Sequence, residues 1–270
     1  MFSGSRAACL LACFTVSITA SAADLRVCAD PNNLPYSNER GEGFENELAR
    51  LAARDLGRTL RFVWDPQHGR YLKRTLFAGR CDVVMGVPAA FDRVATTSPY
   101  YRSSYVFVWR RERGPQVRSF DDHALRTARI GVHLMQNDHD IAPPAQALIA
   151  RGLAHNIAWY KLYPDFTRPN PPSELIEAVE RGDIDVAVAW GPMAGFFAER
   201  APVSLGLNPV APQTEGPAAF AFDISMGVRP GDTRLLSELN EFINRRRAEI
   251  RRVLQKYGVP LTSRVEPNRK

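Results

Sequence analysis

The 270-residue chain carries 35 Lys and Arg against 29 Asp and Glu, a formal net charge of +6, with 45% hydrophobic residues. The cations are scattered and unaccompanied by groove-reading or aromatic-interleaved motifs, which excludes a nucleic-acid reader. After the N-terminal segment, no window holds enough consecutive apolar residues to span a bilayer.

In chain order, a short basic start with Arg6 leads into the apolar run "AACLLACFTVSITA", and Ala20-Ser21-Ala22 supplies small residues at the spacing of a signal-peptidase site. Residues 1–22 read as a signal peptide, so the mature chain is exported and not membrane-inserted after cleavage. "LLAC" ending at Cys13 also fits a lipoprotein box, but the apolar run continues past Cys13 and favours the later site. Cleavage removes Cys9 and Cys13 and leaves Cys28 and Cys81. Two cysteines in an exported chain most simply form one bridge, the alternative being two buried thiols.

"LRVCAD" from Leu25 predicts a strand, and "GFENELARLAARDLG" a helix with Phe44, Leu48, Leu51 and Leu56 on one stripe and Gly57 as its stop. "TLRFVW" follows as a strand. A repeat then shows at an offset of 103 residues: "ARIGVH" matches the first strand, and "LIEAVERGDIDVAVA" from Leu175 matches "LKRTLFAGRCDVVMG" from Leu72. Gly79 falls on Gly182 and Asp82 on Asp185, so each copy offers a helix stopped by glycine and then a buried strand. Alternating strands and helices predict an α/β fold with a parallel sheet and flanking helices, here in two lobes. One large α/β domain is the plainer alternative, disfavoured by the repeat. The C-terminal part has no repeat partner: "FDISMGVRPGD" predicts a strand, and "TRLLSELNEFINRRRAEIRRVLQKYG" a helical segment with Leu235, Leu239, Phe242 and Ile243 inward. Periodicity does not choose which lobe it covers. The dense run of Arg245, Arg246, Arg247, Arg251 and Arg252 reads as a solvated helix face, with contact to an acidic protein left open.

In open α/β sheets the ligand crevice lies beyond the carboxyl ends of the strands. Those ends are "DPNNLPYSN", "GVPAAFDR", "HLMQNDHD" and "WGPMAGF". They nominate Asn33, Tyr36, Arg93 and Trp190, joined by Tyr100 and Tyr101 of "SPYYRSSYVFVW". Phe91 reads as core rather than site. Pro99 places Tyr100 and Tyr101 in a loop where one ring packs and the other faces the cleft. Arg93 suits a carboxylate ligand, or merely Asp92 or solvent.

Catalytic readings find little support. The histidines His68, His123, His133, His139 and His155 form no HExxH or close Cys/His set, and no nucleophile elbow, phosphate loop or dinucleotide fingerprint is present. His133, Asp138, His139 and Asp140 crowd one loop, which reads as a solvated turn rather than a metal centre. Asp82 and Asp185 sit at strand starts, opposite the crevice, where turn chemistry explains them. The expectation is therefore no catalytic residue, no metal and no cofactor.

Six stretches in order, "LRVCADPNNLPYSNERGEGFENELA", "GRCDVVMGVPAAFDRVATTSPYYRSSYVFV", "APPAQALIARG", "GDIDVAVAWGPMAGFFA", "AFDISMGVRPGD" and "YGVPL", resemble the MxaJ/XoxJ-type accessory proteins of quinoprotein methanol dehydrogenases. These lie within the type II periplasmic solute-binding proteins. Ala142 departs from the pattern where threonine is expected before the Pro-Pro pair, which touches only a helix cap. The resemblance implies a two-lobed Venus-flytrap architecture: residues 23–108 as the first part of lobe 1, residues 109–224 as lobe 2, and residues 225–270 returning to lobe 1. Crossovers are expected near Val106 to Glu112 and Phe222 to Val228. Neighbouring Cys28 and Cys81 strands would suit a bridge.

The resemblance also implies a periplasmic, non-enzymatic role beside a PQQ-dependent methanol dehydrogenase, in its assembly or activation, with the cytochrome c as a further contact. The alternative is an importer's solute-binding protein for a small aromatic or carboxylated compound in the cleft. Amino-acid binders of the wider fold hold the ligand ammonium with an acid at the end of the second-lobe strand, where this chain has Trp190. A buried ammonium without a carboxylate is severely penalised, so a free amino acid is not the expected ligand.

Overall fold

A computed structural model describes residues 23–134, 141–161 and 169–263. The expected signal peptide lies outside the described residues. The chain runs through β1 (Asp24–Ala29), β2 (Asn32–Asn33), β3 (Ser37–Asn38), α1 (Phe44–Asp55), β4 (Thr59–Trp64), α2 (Tyr71–Arg74), β5 (Val83–Pro88), β6 (Ala95–Thr96) and the long β7 (Tyr101–Arg110). Next come β8 (Ile130–Leu134), α3 (Pro143–Ala150), β9 (Ile157–Lys161), α4 (Glu174–Arg181), β10 (Val186–Trp190), α5 (Gly191–Ala198) and β11 (Leu205–Pro209). The last elements are β12 (Thr214–Glu215), β13 (Ala218–Ala219), β14 (Ala221–Val228), α6 (Thr233–Arg245) and α7 (Arg247–Lys256).

The strands line up in the order β4-β1-β5-β14-β7-β10-β8-β9. At one end β4, β1 and β5 are parallel, and at the other β10, β8 and β9 are parallel. The central β14 and β7 run antiparallel to their neighbours and to each other. β7 pairs with β14 through Ser104 and with β10 from Tyr105, so one strand serves both halves of the sheet. Apolar clusters cover both faces of each half. Phe44, Leu48, Leu239 and Phe242 of α1 and α6 close one face of the first, and Cys28, Leu76, Cys81 and Val84 the other. In the second half, Phe107, Phe120 and Leu148 lie on one face, and Leu175, Val179 and Met193 on the other.

The repeat is reproduced down to single hydrogen bonds. Arg26 N–H donates to Asp82 Oδ2 at 3.0 Å, and Arg129 N–H donates to Asp185 Oδ2 at 2.8 Å. In return, the N–H of Asp82 donates to the Arg26 carbonyl and that of Asp185 to the Arg129 carbonyl. These carboxylates tie one strand start to the next. Gly79 (φ 71°) and Gly182 (φ 81°) both take the left-handed conformation that a side chain would resist.

Two helices differ from expectation. The Leu72 helix stops at Arg74, because Thr75 leaves helical geometry while its hydroxyl donates to the Tyr71 carbonyl at 2.8 Å. The C-terminal helix breaks at Arg246, where the guanidinium groups of Arg245 and Arg246 both reach the buried Asp55 carboxylate at 2.7 and 2.6 Å. The break lets Phe242 and Ile243 before it, and Ile250 and Leu254 after it, meet one core. Cys28 of β1 and Cys81, two residues ahead of the neighbouring β5, form a disulfide with Cα atoms 5.4 Å apart.

Candidate functional site

The first wall of the crevice grows from the end of β1. Asp30 is buried, and its carboxylate accepts from the N–H of Asn32 at 2.8 Å and of Gln67 at 2.5 Å. Asn46 Oδ1 accepts from the N–H groups of Asn38 and Gly43, fixing the loop against the start of α1. Gly43 is required there, because a Cβ would stand 2.0 Å from the Tyr36 carbonyl oxygen. Asn33 is 3% exposed, and its side-chain amide donates to Gln67 Oε1, so it builds the loop from inside.

Phe44, the first residue of α1, gathers the aromatics. Its ring meets Tyr36 edge-on at 5.4 Å, Tyr101 at 6.1 Å and Tyr257 at 6.1 Å. Tyr101 is buried in the core, while Tyr100, 4.9 Å from it, is partly exposed and donates its hydroxyl to the Met85 carbonyl at 2.8 Å. Pro99 led us to expect both rings in a loop, but Tyr101 already opens β7 and only Tyr100 precedes the strand. Phe91 packs on the cluster around the disulfide.

Glu45 was not singled out in the sequence. Its carboxyl lies over the end of β5, so close that a Cβ on Gly86 would be 2.4 Å from Oε1. Burial pushes its pKa up to about 8, with the charge of Asp30 adding to the effect. Burial also raises Asp30, against the lowering effect of the Asn32 and Gln67 N–H groups. No cation among the described residues pairs with Glu45. The only cue in the sequence was an acid directly after the inward Phe44, and first-turn acids are common on any helix. With its pKa at about 8, Glu45 is largely protonated at neutral pH and able to donate a hydrogen bond, and an arriving cation would ionise it. This wall suits a hydrogen-bond acceptor or a positive group better than a carboxylate.

The second wall ends in Trp190, the last residue of β10 and the residue capping α5, with Pro192 in the first turn where its missing N–H costs nothing. Its indole meets Tyr105 of β7 at 5.5 Å and Phe222 of β14 at 5.8 Å. Trp190 therefore packs on both strands that join the lobes. Burial pushes the Tyr105 phenol up to about 12. Arg93 stands exposed after β5 and pairs with no carboxylate among the described residues, Asp92 included. The structure thus brings Tyr36, Tyr100 and Tyr101 together, sets Trp190 against the hinge strands, and leaves Arg93 in solvent.

At the end of β8, burial lowers His133 to about 4, against a hydrogen bond with the Pro172 backbone. Asp138, His139 and Asp140 lie outside the described residues. Among the described residues no three His, Cys, Asp or Glu side chains are placed to hold a metal. Across the mouth, the N–H of Asn170 donates to Asn32 Oδ1 at 2.9 Å. Asn170 takes the left-handed conformation (φ 50°), which asparagine tolerates better than most residues.

Residues 25–260 match the family of bacterial extracellular solute-binding proteins, family 3. "Protein MoxJ" of Methylorubrum extorquens is 30% identical over 253 residues, covering 89% of this chain and 82% of that protein. The crystal structure of MxaJ from Methlophaga aminisulfidivorans MPT superposes with a TM-score of 0.77 at 30% identity, over 88% of this chain and 100% of that one. The periplasmic binding protein XoxJ from Methylobacterium extorquens AM1 gives 0.74 at 32% identity, over 89% of this chain and 100% of that one.

Proposed function

We propose a function from the premise that this chain belongs to the bacterial extracellular solute-binding proteins, family 3, and within that fold to the MxaJ/XoxJ type. It acts in the periplasm as a non-enzymatic accessory factor of a PQQ-dependent methanol dehydrogenase, binding the enzyme, or a partner such as its cytochrome c, during assembly or activation. No helix among the described residues is long and apolar enough to cross a membrane.

The observation that carries this reading is the end of β10. Trp190 stands where the wider fold uses an acid against a ligand ammonium, and its ring is taken up by Tyr105 and Phe222. An importer's receptor for a carboxylated compound would use Arg93, but Arg93 stands exposed in solvent, and the buried Glu45 and Asp30 of the first wall are both disposed against a second negative charge. Capture from periplasmic extract, comparing wild type with Trp190→Ala, tests the role of this residue. The expected result is dehydrogenase retained by the wild type and depleted by the variant. Equal retention removes Trp190 from the account.

A further inference from the structure

The second-lobe sheet ends at β9, and among the described residues no strand pairs with its outer edge. Along β9, Ala158 and Tyr160 pack on the core beneath α4. Trp159 faces the other way and is 43% exposed. No ring among the described residues stacks on it. The opposite sheet edge, β4, differs: Phe62 and Trp64 stack on each other at 4.9 Å, and Arg61 is paired with Asp24 at 2.6 Å.

A cavity of about 410 Å3 opens at the start of β9, lined by Arg126, Arg129, His155, Asn156, Ile157 and Ala158. The Arg126 and Arg129 side chains are exposed and make no ion pair with any described residue, and the same holds for Lys161 at the far end of the strand. The acids nearby are engaged: Asp185 accepts from the Arg129 backbone N–H at 2.8 Å, and Asp183 pairs with Arg181 at 2.7 Å. Asn156 donates to the carbonyls of Leu125, Arg126 and Ala128, each at 3.0 Å, and so holds the arginine-bearing segment against β9.

We propose that the outer edge of β9 is a docking surface for an extended, acidic segment of a protein partner, which joins the sheet as a further strand. The backbone edge that no described strand pairs supplies the main-chain pairing, Trp159 a cross-strand apolar contact, and the cations at both ends of the strand the charge complementarity. The arginine-rich run on α6 and α7 is less suited, because Arg245 and Arg246 are committed to Asp55. The proposal rests on the accessory-protein reading only in taking the occupant to be a protein.

The test uses a fluorescein-labelled peptide of about ten residues alternating Glu and Val, long enough to span a strand. Its binding to the full mature chain is followed by anisotropy at about 50 mM salt, where charge attraction is weakly screened. R126E/R129E is expected to weaken binding at least about ten-fold and W159A several-fold, while R251E/R252E on the exposed face of α7 stays within about two-fold. Amide exchange over 157–161 is expected to slow in the complex. The proposal is overturned by absence of binding, by equal binding of a Lys-Val peptide, by equal weakening in R251E/R252E, or by unchanged exchange at 157–161. Peptide binding retained without dehydrogenase capture sinks the accessory reading alone; capture retained without peptide binding sinks this proposal alone.

Discussion

Trp190 ends a strand that the sequence marks plainly, whereas Glu45 acquires its character only in the folded chain. Trp190 was readable because it ends the second copy of a repeated unit whose first copy ends at Met85-Gly86. Glu45 was not, because its unusual chemistry comes from Gly86, Asp30 and Tyr100, brought over it by tertiary packing. Asn33 was nominated by position alone, and its burial against Gln67 is invisible in a one-dimensional pattern. A carboxyl whose pKa in the folded state, about 8, lies above its unfolded value binds its proton more tightly when folded. The stability it contributes is full below the unfolded value and is lost as pH rises toward 8. Wild-type stability is therefore expected to fall between about pH 4.5 and 8, with a slope approaching ~1.4 kcal/mol per pH unit, and Glu45→Gln to flatten it. Urea unfolding across that range checks this; parallel curves for the two proteins would remove Glu45 as the cause.

Among the elements, the repeated unit was the most legible feature, since the offset predicted Asp82 and Asp185 as equivalent and both clasp the preceding strand start. The short α2 and the break at Arg246 were hidden because both depend on contacts outside the helical period, a hydroxyl on a local carbonyl and two guanidinium groups on one buried carboxylate. The disulfide closes a separation of 53 residues. Replacing Cys28 and Cys81 together by Ser is expected to cost about 2–4 kcal/mol, read as a drop in melting temperature of roughly 2–4 °C per kcal/mol. An unchanged melting temperature would show that the bridge constrains nothing. On α5, a Cβ at Gly195 would lie 2.0 Å from the Gly258 carbonyl oxygen. Gly195→Ala is thus expected to destabilise by about 1–3 kcal/mol in denaturant titration, whereas a neutral result would mean that the contact yields freely.

For the molecule as a whole, the lobes are joined by more than β7 and β14. Tyr257 stacks on Phe196 of α5 at 5.9 Å, Ser103 donates to the Pro260 carbonyl at 2.6 Å, and the Thr262 N–H donates to the Arg102 carbonyl at 3.0 Å. Residues 257–262 thus run along the first part of β7 and reach α5 through Tyr257, while Asn32 and Asn170 bridge the mouth. Analytical size-exclusion of the mature chain mixed with purified PQQ-dependent methanol dehydrogenase tests the accessory-protein role. Co-elution at a larger size than either protein alone is expected, and separate elution of the two across the full range of mixing ratios would rule that role out.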